Sequence, residues 1–134
     1  MQPNAITLAV DEENDGVGLV NHVFSQYDRY NNRTVFTSAN HSAETKDTLT
    51  LYRTPAKVNG NFRGVSKVAV KFSKDTSVLG VDGVSSLKAP IIVEISCSLP
   101  VGVTSAEKLI ARQRVVALLD RDDIMGPLFD SLMI

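Results

Sequence analysis

The sequence predicts an α+β protein: an N-terminal β-hairpin and an antiparallel sheet of about five strands, followed by two C-terminal helices covering one face. Two observations predict this fold. Before residue 100, apolar and polar residues alternate with the period of two that is typical of half-buried strands. From residue 104, apolar residues recur at helical spacing, directly after the run Thr104-Ser105-Ala106-Glu107, which has the form of a capping box. The 134 residues are expected to form one domain, 1–134.

Six stretches are predicted to be strands: 6–10, 17–24, 34–38, 48–54, 65–74 and 90–99. The first two form a hairpin within residues 1–25, because the run 11–16 between them is rich in turn-forming residues. Residues 26–32 are interpreted as a polar connection. The remaining strands form the main sheet, 33–99. Within it the segment 76–88 has two glycines and no sustained period, which predicts a long, mobile loop.

The region 104–133 is predicted to hold two helices. The second, over 124–133, is interrupted or started by Gly126-Pro127. Its apolar side chains are too many for so short a helix to bury against its own neighbour, which favours a partner chain as their cover. The residues predicted to lie in that dimer interface are Leu109, Ile110, Val116 and Phe129.

The composition argues against several classes of protein. A single cysteine, Cys97, rules out an intrachain disulfide, and its apolar neighbours at two-residue spacing favour a buried position. The two histidines form no metal-binding spacing, and no motif for a nucleophile or a phosphate-binding loop occurs. We therefore predict no catalytic residues, no metal and no cofactor. No apolar run is long enough to cross a membrane, and no secretory signal is expected after Met1.

The near-neutral net charge of −1 hides a strong local asymmetry. Residues 1–45 hold six acids and two bases, residues 46–74 hold one acid and seven bases, and residues 75–134 hold eight acids and five bases. The three blocks therefore carry −4, +6 and −3. The positive block coincides with the hairpin predicted from strands 48–54 and 65–74. A concentration of positive charge on one hairpin is typical of an acidic partner such as nucleic acid.

The alternation in this hairpin separates an apolar face from a face of lysines and hydroxyl groups. Neighbouring residues on one face of a strand are about 6–7 Å apart, close to the spacing of phosphates along a nucleic acid. Tyr52 supplies one aromatic ring for base stacking. The residues predicted to bind nucleic acid are Thr48, Thr50, Tyr52, Lys57, Arg63, Lys67, Lys71 and Ser73. An ordinary solvated sheet face remains the alternative for the lysines.

Over essentially its whole length the chain resembles the coat proteins of small single-stranded RNA bacteriophages of the levivirus type. The resemblance rests on the order of the elements and, most specifically, on the junction SLPVGVTSAEKLIARQRVVALL over residues 98–119. It implies an intertwined dimer with a continuous ten-stranded sheet, which assembles into an icosahedral shell, usually of T=3 type. It also implies repression of replicase translation through a genomic RNA hairpin, a maturation protein as a further partner, assembly in the bacterial cytoplasm, and location in the virion capsid.

The resemblance also assigns roles to particular residues. It places Lys67, Ala69, Lys71 and Ser73 on the RNA-facing side of one strand, and Thr48, Thr50 and Tyr52 on that of its neighbour. It makes 76–88 the loop that contacts its copies around the symmetry axes, with Leu79, Gly80, Val81, Asp82 and Gly83 as the inter-dimer residues. At the position of the base-stacking tyrosine of the best-known relatives this chain has Ile92, followed two residues later by Glu94. Specific binding of an RNA hairpin would therefore have to use other residues, with Tyr52 as the residue that stacks on a base.

Two other functions stay open at the level of sequence. A dimeric RNA-binding regulatory module that never assembles would carry the same lysine face, although it would not need the long segment 76–88. A small enzyme would need an active site that no motif in the sequence indicates.

Overall fold

The computed structural model of the chain describes residues 4–133. It has one six-stranded antiparallel sheet, in which each strand pairs with the next along the chain, followed by two helices. The predicted α+β class is confirmed. The parts of the predicted hairpin and domain that fall on residues 1–3 and 134 lie outside the described residues. The elements are β1 Ala5–Val10, β2 Val20–Tyr30, β3 Arg33–Ser38, β4 Asp47–Thr54, β5 Val65–Leu79, β6 Ser86–Pro100, α1 Ser105–Leu119 and α2 Asp122–Ser131.

Strand β2 is longer than the sequence predicts. The polar connection predicted over 26–32 is wrong, because β2 continues to Tyr30 and pairs with β3 as far as Tyr30 opposite Arg33. The register shifts between Gln26 and Asp28, so a bulge interrupts the alternation that would have identified the strand. The polar side chains are compatible with a strand because one face of this part of the sheet is open to solvent.

Strands β5 and β6 form a long two-stranded ribbon where the sequence predicts a loop. Within the segment 76–88, Thr76 lies opposite Ala89 and Leu79 opposite Ser86, so the prediction of a long loop is wrong and only residues 80–85 form the turn. The carboxylate of Asp82 holds this turn, accepting hydrogen bonds from the backbone N–H groups of Val84 (3.0 Å) and Ser85 (2.9 Å). Asp-Gly flanked by β-branched residues is a strong hairpin signal, which explains why the strands continue.

The ribbon extends beyond β4, whose last pair with β5 is Asp47 opposite Lys74. Two contacts with the β3–β4 loop brace its base. The Lys88 ammonium donates to the carbonyl oxygen of Glu44 (2.9 Å) and to the hydroxyl of Thr45 (3.1 Å), and the Lys46 N–H donates to Asp75 Oδ2 (2.9 Å). These contacts hold the base of the ribbon against the β3–β4 loop, while Val81 and Val84 at its tip are exposed.

The core lies on the apolar face of the sheet, between the first hairpin and the central strands. Phe24, Phe36 and Leu49 are buried, and Phe36 is wholly inaccessible to solvent. Two strands separate Phe24 on β2 from Phe72 on β5, which in a flat sheet would place them about 14 Å apart. Their ring centroids are only 6.1 Å apart, so the sheet must curl around its apolar face.

Helix α1 begins as predicted. The Thr104 hydroxyl accepts a hydrogen bond from the Glu107 N–H (3.2 Å), and the Glu107 carboxylate accepts one from the Thr104 N–H (3.2 Å), which completes the capping box. The apolar residues that are predicted to follow helical spacing do not all lie on one side of this helix. Leu109 and Leu118 are nine residues apart and lie on opposite sides of the helix, a distribution typical of a helix covered on more than one side.

Helix α2 starts at Asp122 and runs through Pro127, so Gly126-Pro127 neither starts nor interrupts it. No residue of either helix is buried. The apolar face of β5 and β6 is also partly open, with Val68 42% exposed and Ile91 56% exposed. The helices therefore do not cover this face within one chain. Neither helix is long and apolar enough to cross a membrane.

Candidate nucleic-acid interface

The side of the sheet opposite the core is lined by hydroxyl groups, ammonium groups and aromatic rings. Directly opposite residues in an antiparallel sheet point to the same side. Lys71 lies opposite Thr50 on β4 and opposite Glu94 on β6, and Ala69 lies opposite Tyr52 and Ser96. This surface is called the polar face below. On β4, β5 and β6 it comprises Thr48, Thr50, Tyr52, Thr54, Lys67, Ala69, Lys71, Ser73, Ile92, Glu94, Ser96 and Ser98.

Six of the eight predicted RNA-binding residues share this face: Thr48, Thr50, Tyr52, Lys67, Lys71 and Ser73. The hydroxyl-bearing residues are not equally accessible, because Thr50 is only 7% exposed and belongs to the floor of the face. The other two, Lys57 and Arg63, are exposed in the connection between β4 and β5, beyond the pair Thr54–Lys67. The structure thus brings the strand residues together and leaves Lys57 and Arg63 at the edge.

The ammonium groups of Lys67 and Lys71 are free of carboxylate partners. Within residues 4–133 the ion pairs are His22–Glu12 and Arg121–Asp123, and neither lies on the polar face. Lys67 and Lys71 are four residues apart on one strand, about 13 Å along it, which matches two phosphate steps of an extended nucleic acid. Both charges are therefore available to an external anion.

Two further residues of the polar face were missed at the level of sequence. Arg33 on β3 lies opposite Tyr52, and its guanidinium group stacks over the Tyr30 ring at 4.6 Å from the centroid. Tyr30, Arg33 and Tyr52 therefore form a row across three strands. A hydrogen bond to the neighbouring Asp28 carboxylate raises the pKa of Tyr30 and favours its neutral phenol. The alternation of Arg33, Val35 and Thr37 could have identified Arg33, whereas the bulge in β2 concealed Tyr30.

A depression of about 380 Å³ lies in the polar face on the far side of Tyr52 from Arg33. Ala69 is at its floor, and its walls include Tyr52, Lys67, Lys71, Glu94 and Ser96. The depression combines an aromatic ring, two ammonium groups and one carboxylate around a small residue. Such a combination can hold a flat polar ring next to an anionic group.

The residues predicted to make contacts between subunits lie apart from the polar face. Leu79 ends β5, and Gly80, Val81, Asp82 and Gly83 are in the turn of the ribbon. On the helices the predicted interface residues are all exposed in the single chain: Leu109, Ile110, Val116 and Phe129. Phe129 is 66% exposed, an unusual state for a phenylalanine in an isolated soluble chain.

Comparison with solved structures identifies the fold. The chain is similar to a protein in the virus-like particle of bacteriophage AVE019, with a TM-score of 0.77 and 15% identity over 97% of this chain and 96% of that one. It is also similar to a protein of the virus-like particle of Beihai levi-like virus 32 (TM-score 0.67, 21% identity, 83% and 88% covered). A third similar structure is the bacteriophage EMS014 coat protein (TM-score 0.61, 18% identity, 89% and 74% covered).

At the level of sequence no protein-family model matches the chain, and no curated protein matches it. The identities to the solved structures are below the range in which function follows from similarity, so they establish the fold alone. The resemblance to levivirus-type coat proteins predicted from the sequence is confirmed at that level.

Proposed function

We propose that this chain is the coat protein of a single-stranded RNA bacteriophage, a single domain over residues 1–134 that dimerises and assembles into an icosahedral shell around RNA. The observation that carries the proposal is the fold similarity to a particle-forming protein over 97% of this chain and 96% of that one.

The distribution of apolar surface supports dimerisation. Both helices expose apolar side chains in the single chain, and so does the sheet face of β5 and β6. Exposed apolar surfaces of this extent mark interfaces, and the two surfaces are complementary in kind. A second copy of the chain is the proposed occupant, with the helices of each chain covering the sheet of the other. The edge strand β6, Ser86–Pro100, has a free side through which two sheets would join.

The joined sheet would have more strands than the resemblance implies. Each chain contributes six strands to one continuous sheet, so two chains paired through β6 would give twelve strands. The ten-stranded count applies only if the β1 strands are left out of it.

The polar face supports RNA as the content of the shell. It presents unpaired ammonium groups, hydroxyl groups and aromatic rings on the side opposite the apolar core. In the proposed shell this face is turned inward. Repression of replicase translation, T=3 symmetry, contact with a maturation protein, assembly in the bacterial cytoplasm and location in the virion are the finer parts of the same proposal.

The direct test is expression of the full chain alone in bacteria, followed by negative-stain electron microscopy and the ratio of absorbance at 260 and 280 nm. Uniform round shells with nucleic-acid absorbance are expected. Small dimers free of nucleic acid, at protein concentrations well above micromolar, would contradict the proposal and favour the non-assembling regulatory module.

The polar face is tested by charge reversal on β5. Lys67→Glu and Lys71→Glu, made singly, should each lower the RNA content of the particles and reduce the salt dependence of RNA binding by about one unit of slope, because each removes one phosphate contact. Lys74→Glu is the matched control, since Lys74 lies on the same strand and the opposite face. Equal RNA loss in all three variants would show that net charge, and not the polar face, governs uptake.

A further inference from the structure

A carboxylate stands in the middle of the proposed RNA-binding surface. Glu94 lies directly opposite Lys71, and it is exposed in the wall of the depression beside Tyr52. The two opposed charges form no ion pair within 4.0 Å, although residues so placed in neighbouring strands are within reach of each other. A surface that bound only phosphates would be weakened by this carboxylate, so Glu94 needs another role.

The chemistry of a carboxylate limits what it can bind. An ionised glutamate has two acceptor oxygens and no donor. Among the four RNA bases, guanine alone presents two adjacent donors on its Watson–Crick edge, the N1–H and the N2 amino group, and these fit the two carboxylate oxygens in a bidentate contact. Adenine and cytosine each offer a single amino group next to an acceptor, and the uracil N3–H is flanked by two carbonyl oxygens that a carboxylate repels.

The rest of the depression fits a base in this orientation. Tyr52 and Glu94 lie on strands separated by β5, about 10 Å apart across the sheet. The small side chain of Ala69 on β5 leaves the space between them open. The Tyr52 ring provides a stacking surface, and Lys67 and Lys71 on either side of Ala69 can neutralise the flanking phosphates.

We infer that the depression binds an unpaired guanine of single-stranded RNA, with Tyr52 stacked on the base and Glu94 accepting hydrogen bonds from its N1–H and N2 amino groups. Glu94 is thereby a specificity-determining residue on a face that otherwise binds RNA through charge. The inference rests on the proposed function, since it names the base that the RNA-binding face reads.

The test uses the full chain at a concentration below that at which shells form, with fluorescently labelled uridine octamers that carry one central guanosine, adenosine, cytidine or inosine. Binding is measured by anisotropy at two salt concentrations. The guanosine octamer is expected to bind at least tenfold more tightly than the adenosine and cytidine octamers. Inosine keeps the N1–H and lacks the N2 amino group, so it should bind with intermediate affinity.

Glu94→Gln keeps the shape of the side chain and removes its charge. It should bind all four octamers more tightly than the unaltered protein at low salt and lose the preference for guanosine. Glu13→Gln makes the same change in the β1–β2 turn, away from the polar face, and should keep the preference. Tyr52→Ala should weaken binding of the guanosine octamer at least tenfold. Tyr52→Phe keeps the aromatic ring and should bind this octamer as tightly as the unaltered protein does.

The outcomes separate the two levels of the proposal. Equal binding of all four octamers by the unaltered protein, or a guanosine preference that survives Glu94→Gln, overturns the guanine site and leaves the RNA-binding face in place. A protein that binds no octamer even at low salt contradicts the RNA-binding part of the proposed function itself.

Discussion

The two halves of the sheet differ in how far their apolar side chains are buried within one chain. Strands β1 to β4 curl around Phe24, Phe36 and Leu49 and, with Phe72 of β5, close a core within one chain. Strands β5 and β6 present the same alternation of apolar and polar residues, yet Val68 and Ile91 stay partly exposed, and neither following helix has a buried residue. The same alternation of apolar and polar residues therefore leads to buried side chains in one half and partly exposed ones in the other. The core around Phe36 closes within one chain, while the exposed apolar side chains of β5, β6 and the helices are those that a second chain would cover in the proposed dimer.

The largest effect is expected from a substitution that removes a core side chain of the first half. Phe36→Ala removes the one large side chain that is fully buried within residues 4–133, and it should lower the free energy of unfolding by about 3–5 kcal/mol. Phe62→Ala deletes the same atoms from a half-exposed position in the β4–β5 connection and should cost much less. Urea unfolding followed by circular dichroism measures both. A similar loss in the two variants would contradict the distinction between the halves.

The junction between the halves depends on one glycine. Gly64, directly before β5, has a φ of +90°, and a Cβ at this position would lie 2.1 Å from the carbonyl oxygen of Lys57. Gly64→Ala should therefore cost about 3 kcal/mol or more, through an unfavourable backbone conformation and a clash with the main chain.

Gly60→Ala is the control for this clash. Gly60 also has a positive φ, +60°, but nothing lies within 4 Å of a Cβ there. It should cost about 1–2 kcal/mol. Thermal unfolding measures the loss of stability in both variants. Equal losses would mean that the β4–β5 connection can move away from a Cβ at position 64 without a loss of stability.

The test of the second half measures dimerisation and not the stability of one chain. Leu109→Ala should weaken dimerisation by about 2 kcal/mol for each of its two copies, because it removes apolar surface that a partner would bury in the proposed dimer. Lys108→Ala, on the neighbouring side of the same helix, is the matched control. Light scattering over a dilution series measures the fraction of dimer. An unchanged dissociation constant in Leu109→Ala would place this side of α1 outside the interface.

The smallest expected effect is a pH dependence at the tip of the ribbon. Hydrogen bonds from the Ser85 hydroxyl and from the backbone of Ser85 and Val84 lower the pKa of Asp82 to about 2. A lowered pKa means that the carboxylate stabilises the turn above its unfolded pKa of about 4. This contribution is lost as the pH falls toward 2. The protection factor of the Ser85 amide, which is its intrinsic exchange rate divided by its measured rate at the same pH, should therefore fall below pH 4. Asp82→Asn should have a lower protection factor at neutral pH, with little further change on acidification.

The sequence predicts local features where one interaction decides the structure. The capping box at Thr104 forms as expected, because both of its partners lie within one turn. The strands of the positive hairpin have the predicted faces, because alternation alone fixes them. The ends of β2 and β5 were misjudged for different reasons. A bulge breaks the alternation near Gln26, and the Asp82-Gly83 turn signal is short compared with the segment 76–88, which has no sustained period.

The charged residues of the candidate site could be predicted from the sequence, whereas the residues that the fold places next to them could not. Lys67 and Lys71 follow from their own strand, whereas the row of Tyr30, Arg33 and Tyr52 depends on the register of three strands. The depression next to Tyr52 depends on Ala69 and on strand β6, which is distant in sequence. Only a folded sheet brings Glu94 beside this depression, so its role as a base-reading group could not be inferred from the order of residues alone.

The braced ribbon of β5 and β6 also acts as a lever. About five residues of each arm extend past the end of β4, a length of about 17 Å. Because Val81 and Val84 at the tip are exposed, a rotation of about 10° at the base would carry the tip by about 3 Å without altering any pair inside the ribbon. In the proposed shell, identical subunits would in this way reach neighbours at slightly different distances, with the adjustment confined to the contacts that Lys88 and Asp75 make at the base of the ribbon.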